Sequence, residues 1–413
     1  MTVRTEPGTN RVLLVVILGL ITTIGPLSLD MYLPALPEIA RDLEVSAAEV
    51  QLSLTSCLVG MAVGQLLFGP LSDRWGRRRP VILGLAAYAV LSFLIALAPS
   101  APVLTGLRFL QGLAGGAGVV VARAVVRDVS SGAAAAKLFS SLTLVFGLAP
   151  IAAPSLGSLV LGLTSWHGVF VALGVIAVLL TVLVAVGLPE TLPQQRRSSG
   201  GLGTIARTAR ALFTDRIFLG YALAQSFTFA ALFAYISGSS FVLQDGYGLS
   251  PTTYSLLFGV NAVGLIILSQ ANNLLLNRWS LRRLMFLGLG VQSTAGVLAL
   301  AGAVAGNLMI LAAGLFLLVG AIAIIQPNTA ALALDRYPER AGAAAALLGG
   351  VQSVIASAAA PLAGLGDPGQ GVPMSIVILG FAAAALLSVV ISGFGQLRPG
   401  RPAWLPRGPR PPR

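Results

Sequence analysis

Two residues of opposite charge stand where the sequence is otherwise apolar. Asp30 lies in the run Gly25-Pro26-Leu27-Ser28-Leu29-Asp30-Met31-Tyr32-Leu33-Pro34, and Arg108 lies in a later apolar run. Charged side chains at membrane depth are costly and usually mark ion pathways. Read as spans, the first run travels outward and the run with Arg108 travels inward. Asp30 is then about three residues, and Arg108 about five, from the same outer boundary, so at about 1.5 Å per residue both lie roughly 5–8 Å below it. They can meet if the two helices are neighbours. Burial favours the neutral carboxyl, whereas a nearby guanidinium favours the carboxylate. A carboxyl balanced between the two can bind and release a proton as a cavity opens to one side and then the other. A static ion pair that locks two helices, or an interfacial carboxylate that caps an exposed end, are the plainer readings of the same residues.

A second constellation is the short segment Gly69-Pro70-Leu71-Ser72-Asp73-Arg74-Trp75-Gly76-Arg77-Arg78-Arg79-Pro80. Glycine permits a tight turn and close helix approach. Asp73 can pair with an arginine or cap a helix N-terminus, while Arg74, Arg77 and Arg78 stay at the membrane surface. The ordered Gly69, Asp73 and Gly76 exceed what a loop needs merely to carry charge. Their functional reading is a gate latch that breaks and reforms during a transport cycle. Tyr32, Phe227, Phe229 and Tyr235 are candidates to line a cavity, with amides such as Gln225, Asn261, Gln292, Gln326 and Gln352 in other apolar runs. A mostly apolar lining with few polar groups suits a lipophilic ligand, although amides in spans also simply hydrogen-bond helices together. The single cysteine, Cys57, builds no disulfide framework or metal cluster. The lone His167, beside Trp166 at a helix end, reads as a structural cap. No nucleophile–base pair or acid–base cluster argues for an enzyme.

The elements that must hold these residues are read from composition. Of 413 residues, 56% are hydrophobic and 10% charged, against roughly 25% charged in soluble proteins. The apolar residues come in runs that match a bilayer core, and such runs must satisfy their own backbone amides as helices. The expected spans are 12–33, 49–71, 81–98, 103–122, 136–162 and 168–188, then 217–243, 252–276, 281–305, 307–330, 341–365 and 373–395. This gives a tail 1–11, a six-helix bundle 12–188, a polar linker 189–216, a second bundle 217–395 and a basic tail 396–413 expected to be disordered. The net charge of +12 does not point to nucleic acid, because the basic residues sit in short loops between apolar runs. Setting aside Arg41 and Arg108, 24 of the 26 basic residues fall on one side, which the positive-inside rule makes cytoplasmic, with both termini. The first run, without a small-residue cleavage site, reads as a span and not a cleaved signal. Two weak internal repeats are visible. Asp73-Arg74-Trp75-Gly76-Arg77-Arg78-Arg79 is echoed by Asn277-Arg278-Trp279-Ser280-Leu281-Arg282-Arg283, and Gly132 and Gly342 are each followed by four alanines. Two similar halves place a ligand site between them, near the midplane.

Segment 69–79 resembles the signature loop of the major facilitator superfamily. Arg108-Phe109-Leu110-Gln111-Gly112 resembles its fourth-helix motif, whose arginine the resemblance implicates in proton coupling. Gly147, Pro150, Pro154 and Gly157 resemble the fifth-helix antiporter motif of drug exporters, with Ala149 and Ser158 where that motif usually has glycine. Independently of family, such glycines and prolines kink a helix and let it pack closely. Asp30-Met31-Tyr32-Leu33-Pro34-Ala35-Leu36-Pro37 and Ala122-Arg123-Ala124-Val125-Val126-Arg127-Asp128 are similar to the Bcr/CflA drug-resistance subfamily, with His167 where an arginine is usual.

The resemblance implies an all-α major facilitator fold with twelve transmembrane helices in two six-helix bundles. It implies a monomer in a bacterial inner membrane that exchanges lipophilic molecules, of bicyclomycin or phenicol type, for protons, with no cofactor but the proton gradient. The expected coupling residues are Asp30 and Arg108. The expected latch is Gly69, Asp73, Arg74, Gly76, Arg77, Arg78, Arg127 and Asp128, and the expected cavity is Tyr32, Gln111, Phe227, Tyr235 and Asn261. Uptake of a metabolite by the same fold, and a membrane sensor or enzyme without transport, are the alternatives.

Overall fold

A computed structural model of the chain describes residues 11–129, 152–197, 215–335, 341–364 and 368–393, with residues 138, 149 and 337 as isolated positions. Ten helices among these are long and apolar enough to cross a membrane, and shorter apolar helices at Ala152–Leu163 and Leu347–Ala363 stand at the fifth and eleventh expected spans. Gly147, Pro150, Lys137, most of the linker and both tails lie outside the described residues, as does the side chain of Arg127.

Several helices begin where the sequence supplies a side-chain cap, and one ends on a glycine. Ser46 opens the second span, Ala47–Trp75, in a reciprocal capping box with Glu49. Ser250, Ser280 and Asn307 accept hydrogen bonds from the first free amides of the eighth, ninth and tenth spans. Gly76, at φ 93°, ends the second span in a conformation that suits glycine. The second, fourth and tenth helices, Ala47–Trp75, Ala101–Val129 and Leu308–Leu334, run beyond the apolar segments that mark them in the sequence. Hydropathy marks where the hydrocarbon stops, whereas hydrogen bonding carries the helix on into the polar interface. The first helix, Arg11–Asp30, does the reverse. It ends earlier than its apolar run and is followed by a 3-10 turn, Leu33–Ala35, and a short helix, Leu36–Asp42.

Within the first half, the second and fourth spans pack backbone to backbone. A Cβ on Gly60 or Gly64 would overlap the carbonyls of Phe109 or Leu113, and one on Gly112 would overlap that of Cys57. At Gly69, by contrast, the nearest atom to an added Cβ is a Val120 methyl at 3.8 Å, so packing does not demand glycine there.

The two halves meet at the end that carries Glu38, Asp42 and Asp245, called here the acidic end. Gln51 Nε2 donates to the Ser237 carbonyl (3.2 Å), Thr55 Oγ1 to Ser357 (3.1 Å) and Ser255 Oγ to Pro154 (2.9 Å). Gln244 Nε2 donates to the Pro34 carbonyl at 3.1 Å and Ser240 Oγ to that of Leu33. Arg41 and Asp245 form an exposed ion pair at 3.3 Å. All of these contacts lie away from the arginine loop.

Candidate functional site

The first span ends against this seam. Asp30 is 5% exposed. Among the described residues it makes no hydrogen bond and no ion pair. Its electrostatic neighbours are Tyr235 and Tyr254, two phenols of the second half. Tyr235 OH accepts a hydrogen bond from Asn261 Nδ2 at 2.9 Å, and its ring stacks on Phe258 with centroids 5.5 Å apart. Of the expected residues, Tyr235 and Asn261 are bonded to each other, and Tyr235 lies within electrostatic reach of Asp30 across the two halves.

Arg108 is buried completely, yet it does not pair with Asp30. Its Nη1 donates to Gln111 Oε1 (2.5 Å) and its Nη2 to the Ser28 carbonyl (2.7 Å). Its guanidinium lies over the Tyr32 ring, 4.3 Å from the centroid, with Phe170 at 5.6 Å. Gln111 passes the chain of bonds to Ser92 Oγ at 2.7 Å, and Ser28 Oγ meets Tyr88 OH at 2.6 Å. Arg108 therefore acts on the backbone two residues before the carboxylate, and Tyr32 and Gln111 are its partners inside the first bundle. Phe227 is placed elsewhere, stacked on Phe381 with centroids 6.1 Å apart. His167 stacks on Trp166 and meets Ser165 Oγ through Nδ1, while Trp166 Nε1 donates to Asp42 at 2.8 Å.

Two described members of the expected antiporter motif touch both sides of the seam. A Cβ on Gly157 would overlap the carbonyl of Met31, the residue after Asp30. The carbonyl of Pro154 is the acceptor for Ser255 of the second half. The fifth span is thus pressed onto the end of the first by the absence of a side chain.

At the opposite end, the arginine loop is a closed network. Arg77, 6% exposed, donates from Nε to Asp128 Oδ2 (2.8 Å) and from Nη1 to Asp73 Oδ1 (2.6 Å) and Ser72 Oγ (2.8 Å). Burial works against its charge, but hydrogen bonds and the charges of Asp128 and Asp73 hold its pKa above the ordinary arginine value. The Arg78 side chain donates to the Ala185 carbonyl, and Arg74 is exposed.

Glu190 was missed by the sequence reading. Its carboxylate receives the backbone amides of Arg77 (2.8 Å) and Arg78 (3.3 Å), the first residues of the third span. A Cβ on Gly76 would meet this carboxylate, which explains the glycine beyond its dihedral angle. The signal available in sequence was a lone acid after Pro189, where a basic linker begins.

Comparison with known proteins agrees with this architecture. The profile of the Major Facilitator Superfamily matches residues 18–361. The uncharacterized MFS-type transporter YdgK of Bacillus subtilis (strain 168) is 38% identical over 95% of this chain and 98% of its own length. A bicyclomycin resistance protein homolog of Haemophilus influenzae is 35% identical over 82% of this chain and 85% of its own. Among solved structures, a bacterial homolog of the human lysosomal transporter Spinster, crystallised inward-facing and unoccupied, superposes with TM-score 0.73. It covers 94% of this chain and 96% of that one at 15% identity, a likeness of fold.

Proposed function

The chain belongs to the major facilitator superfamily, and on that premise we propose that it exports drugs or antibiotics in exchange for protons by alternating access. One observation carries the reading: Asp30 is a buried carboxyl without a hydrogen-bond partner among the described residues, set at the seam within electrostatic reach of Tyr235 of the other half. A group so placed exchanges a proton when the seam opens, and a substrate against Tyr235 competes with that proton. Arg108 tunes the site indirectly, through the Ser28 carbonyl and the Tyr32 ring.

The arginine end faces the cytoplasm of a bacterial cell, with both termini there. In this reading the seam closed at the acidic end belongs to the state that loads substrate from the inside. The domain limits follow as 12–188 and 217–395, joined by the linker 189–216. The unit of transport is a single chain, which needs no cofactor beyond the gradient and performs no enzymatic reaction. The relative named for bicyclomycin resistance supports a small, lipophilic antibiotic of that kind as substrate.

The test is drug movement in everted membrane vesicles with an imposed pH gradient, together with a susceptibility panel in an efflux-deficient host. Entry of drug only when the lumen is acidic, lost in Asp30→Asn, supports the reading. Entry that follows the drug's own gradient, or wild-type exchange in Asp30→Asn, overturns it. Accumulation of a metabolite in right-side-out vesicles favours uptake instead.

A further inference from the structure

The arginine loop occurs twice, and the second copy has lost the inward-turned arginine of the first and the loop acid that holds it. At offset 204, Asn277 replaces Asp73, Ser280 replaces Gly76 and Leu281 replaces the inward-turned Arg77. The counterparts of Arg74, Arg78 and Arg79 remain as Arg278, Arg282 and Arg283. All three are exposed, and among the described residues no acid pairs with them.

Beside them lies an open groove of about 590 Å³ lined by Trp279, Ser280, Arg282, Arg283 and Phe286. Arg282 sits over the Phe286 ring at 5.9 Å. Phe286 is also the first residue of an adjoining groove of about 490 Å³, which continues up the ninth span past Leu287, Gly290 and Thr294 to Leu317 of the tenth. Gly290 leaves this second groove open, because nothing lies within 4 Å of an added Cβ.

We propose that the two grooves form one binding site for an anionic phospholipid. Its phosphate would lie against Arg282 and Arg283 beneath Trp279, and one acyl chain would run along Leu287, Gly290 and Leu317. Three considerations select this occupant. The charge is positive and unneutralised, the apolar groove begins where the charge ends, and the depth of the junction is that of a headgroup boundary. Basic pockets at helix ends and interfacial tryptophans both favour that boundary. A soluble anion would use the charge and leave the apolar groove empty.

The test uses the full-length chain in phosphatidylcholine vesicles that contain a minor fraction of brominated lipid. The emission of Trp279 is taken as the difference between wild type and Trp279→Phe. Brominated phosphatidylglycerol should quench it more strongly than brominated phosphatidylcholine at equal fraction. Arg282→Gln and Arg283→Gln should each lower that preference about fivefold, the effect of about 1 kcal/mol per surface arginine. Trp75, read the same way from Trp75→Phe, should show less preference, because Arg77 and Arg78 beside it are engaged within the protein and only Arg74 and Arg79 are exposed there. Equal quenching by the two lipids overturns the site. So does an equal preference at Trp75, which would mean attraction to surface charge alone. Native mass spectrometry supplies a readout independent of the tryptophans. Phosphatidylglycerol retained by wild type and lost from the double glutamine variant supports the site, and retention by both overturns it.

Discussion

At the scale of single residues, the two intramembrane charges have separate tasks. Arg108 spends its hydrogen bonds on Gln111 and the Ser28 carbonyl and its charge on the Tyr32 ring. Asp30, two residues beyond Ser28, is left facing the second half. Asp30→Asn should remove the dependence of drug exchange on an imposed pH gradient while the protein still reaches the membrane. Vesicle exchange with and without the gradient checks this. Tyr235→Phe deletes the acceptor of Asn261, a bond worth about 1 kcal/mol, and should weaken substrate affinity several-fold with coupling retained. A direct binding measurement beside the exchange assay separates the two effects. The depth argument from sequence allowed Asp30 and Arg108 to meet, whereas Arg108 bonds to the Ser28 carbonyl and Gln111 instead. Depth says nothing about rotation of a helix about its axis, and rotation is what turned the arginine to Ser28 and the aspartate to the seam.

At the scale of elements, the loop network ranks its own members. The Asp128 side chain is 13% exposed and that of Asp73 48%. Breaking a buried pair costs about 3–5 kcal/mol, whereas a solvated partner contributes under about 1 kcal/mol. Asp128→Ala should therefore lower thermal stability in detergent far more than Asp73→Ala, the reverse of the emphasis that the loop motif suggests. Close helix approach makes a parallel prediction. Gly157→Leu must push the fifth span off Met31 at a cost of about 1–3 kcal/mol and should impair transport, while Gly69→Ala should be tolerated, and a paired transport and melting assay checks both. The spans were legible because bilayer thickness writes itself into the length of apolar runs. Glu190 was not, because its role exists only once the chain after the sixth span has folded back to the amides of Arg77 and Arg78.

At the scale of the whole molecule, the seam at the acidic end is one state of a two-state machine in the proposed cycle. With Cys57 first replaced by serine, cysteines at Thr55 and Ser357 should be joined by a short bifunctional reagent, which arrests exchange. Reduction of a cleavable linker should restore it. Unimpaired exchange in the linked protein would show that the seam need not open. The ion pair Arg41–Asp245 is exposed on both sides, at 71% and 42%, so Arg41→Ala should change this equilibrium little, and less still at high salt.

The rest of the seam is made differently. Its donors are serine, threonine and glutamine side chains, and its acceptors are main-chain oxygens of Leu33, Pro34, Pro154, Ser237 and Ser357. A main-chain oxygen is present whatever side chain the position carries. Half of every contact is therefore exempt from mutation, and neither half changes its charge with acidity. The lid can keep its fit while the residues around it drift, which leaves a lineage of such proteins free to revise the ligands it accepts without relearning how to close.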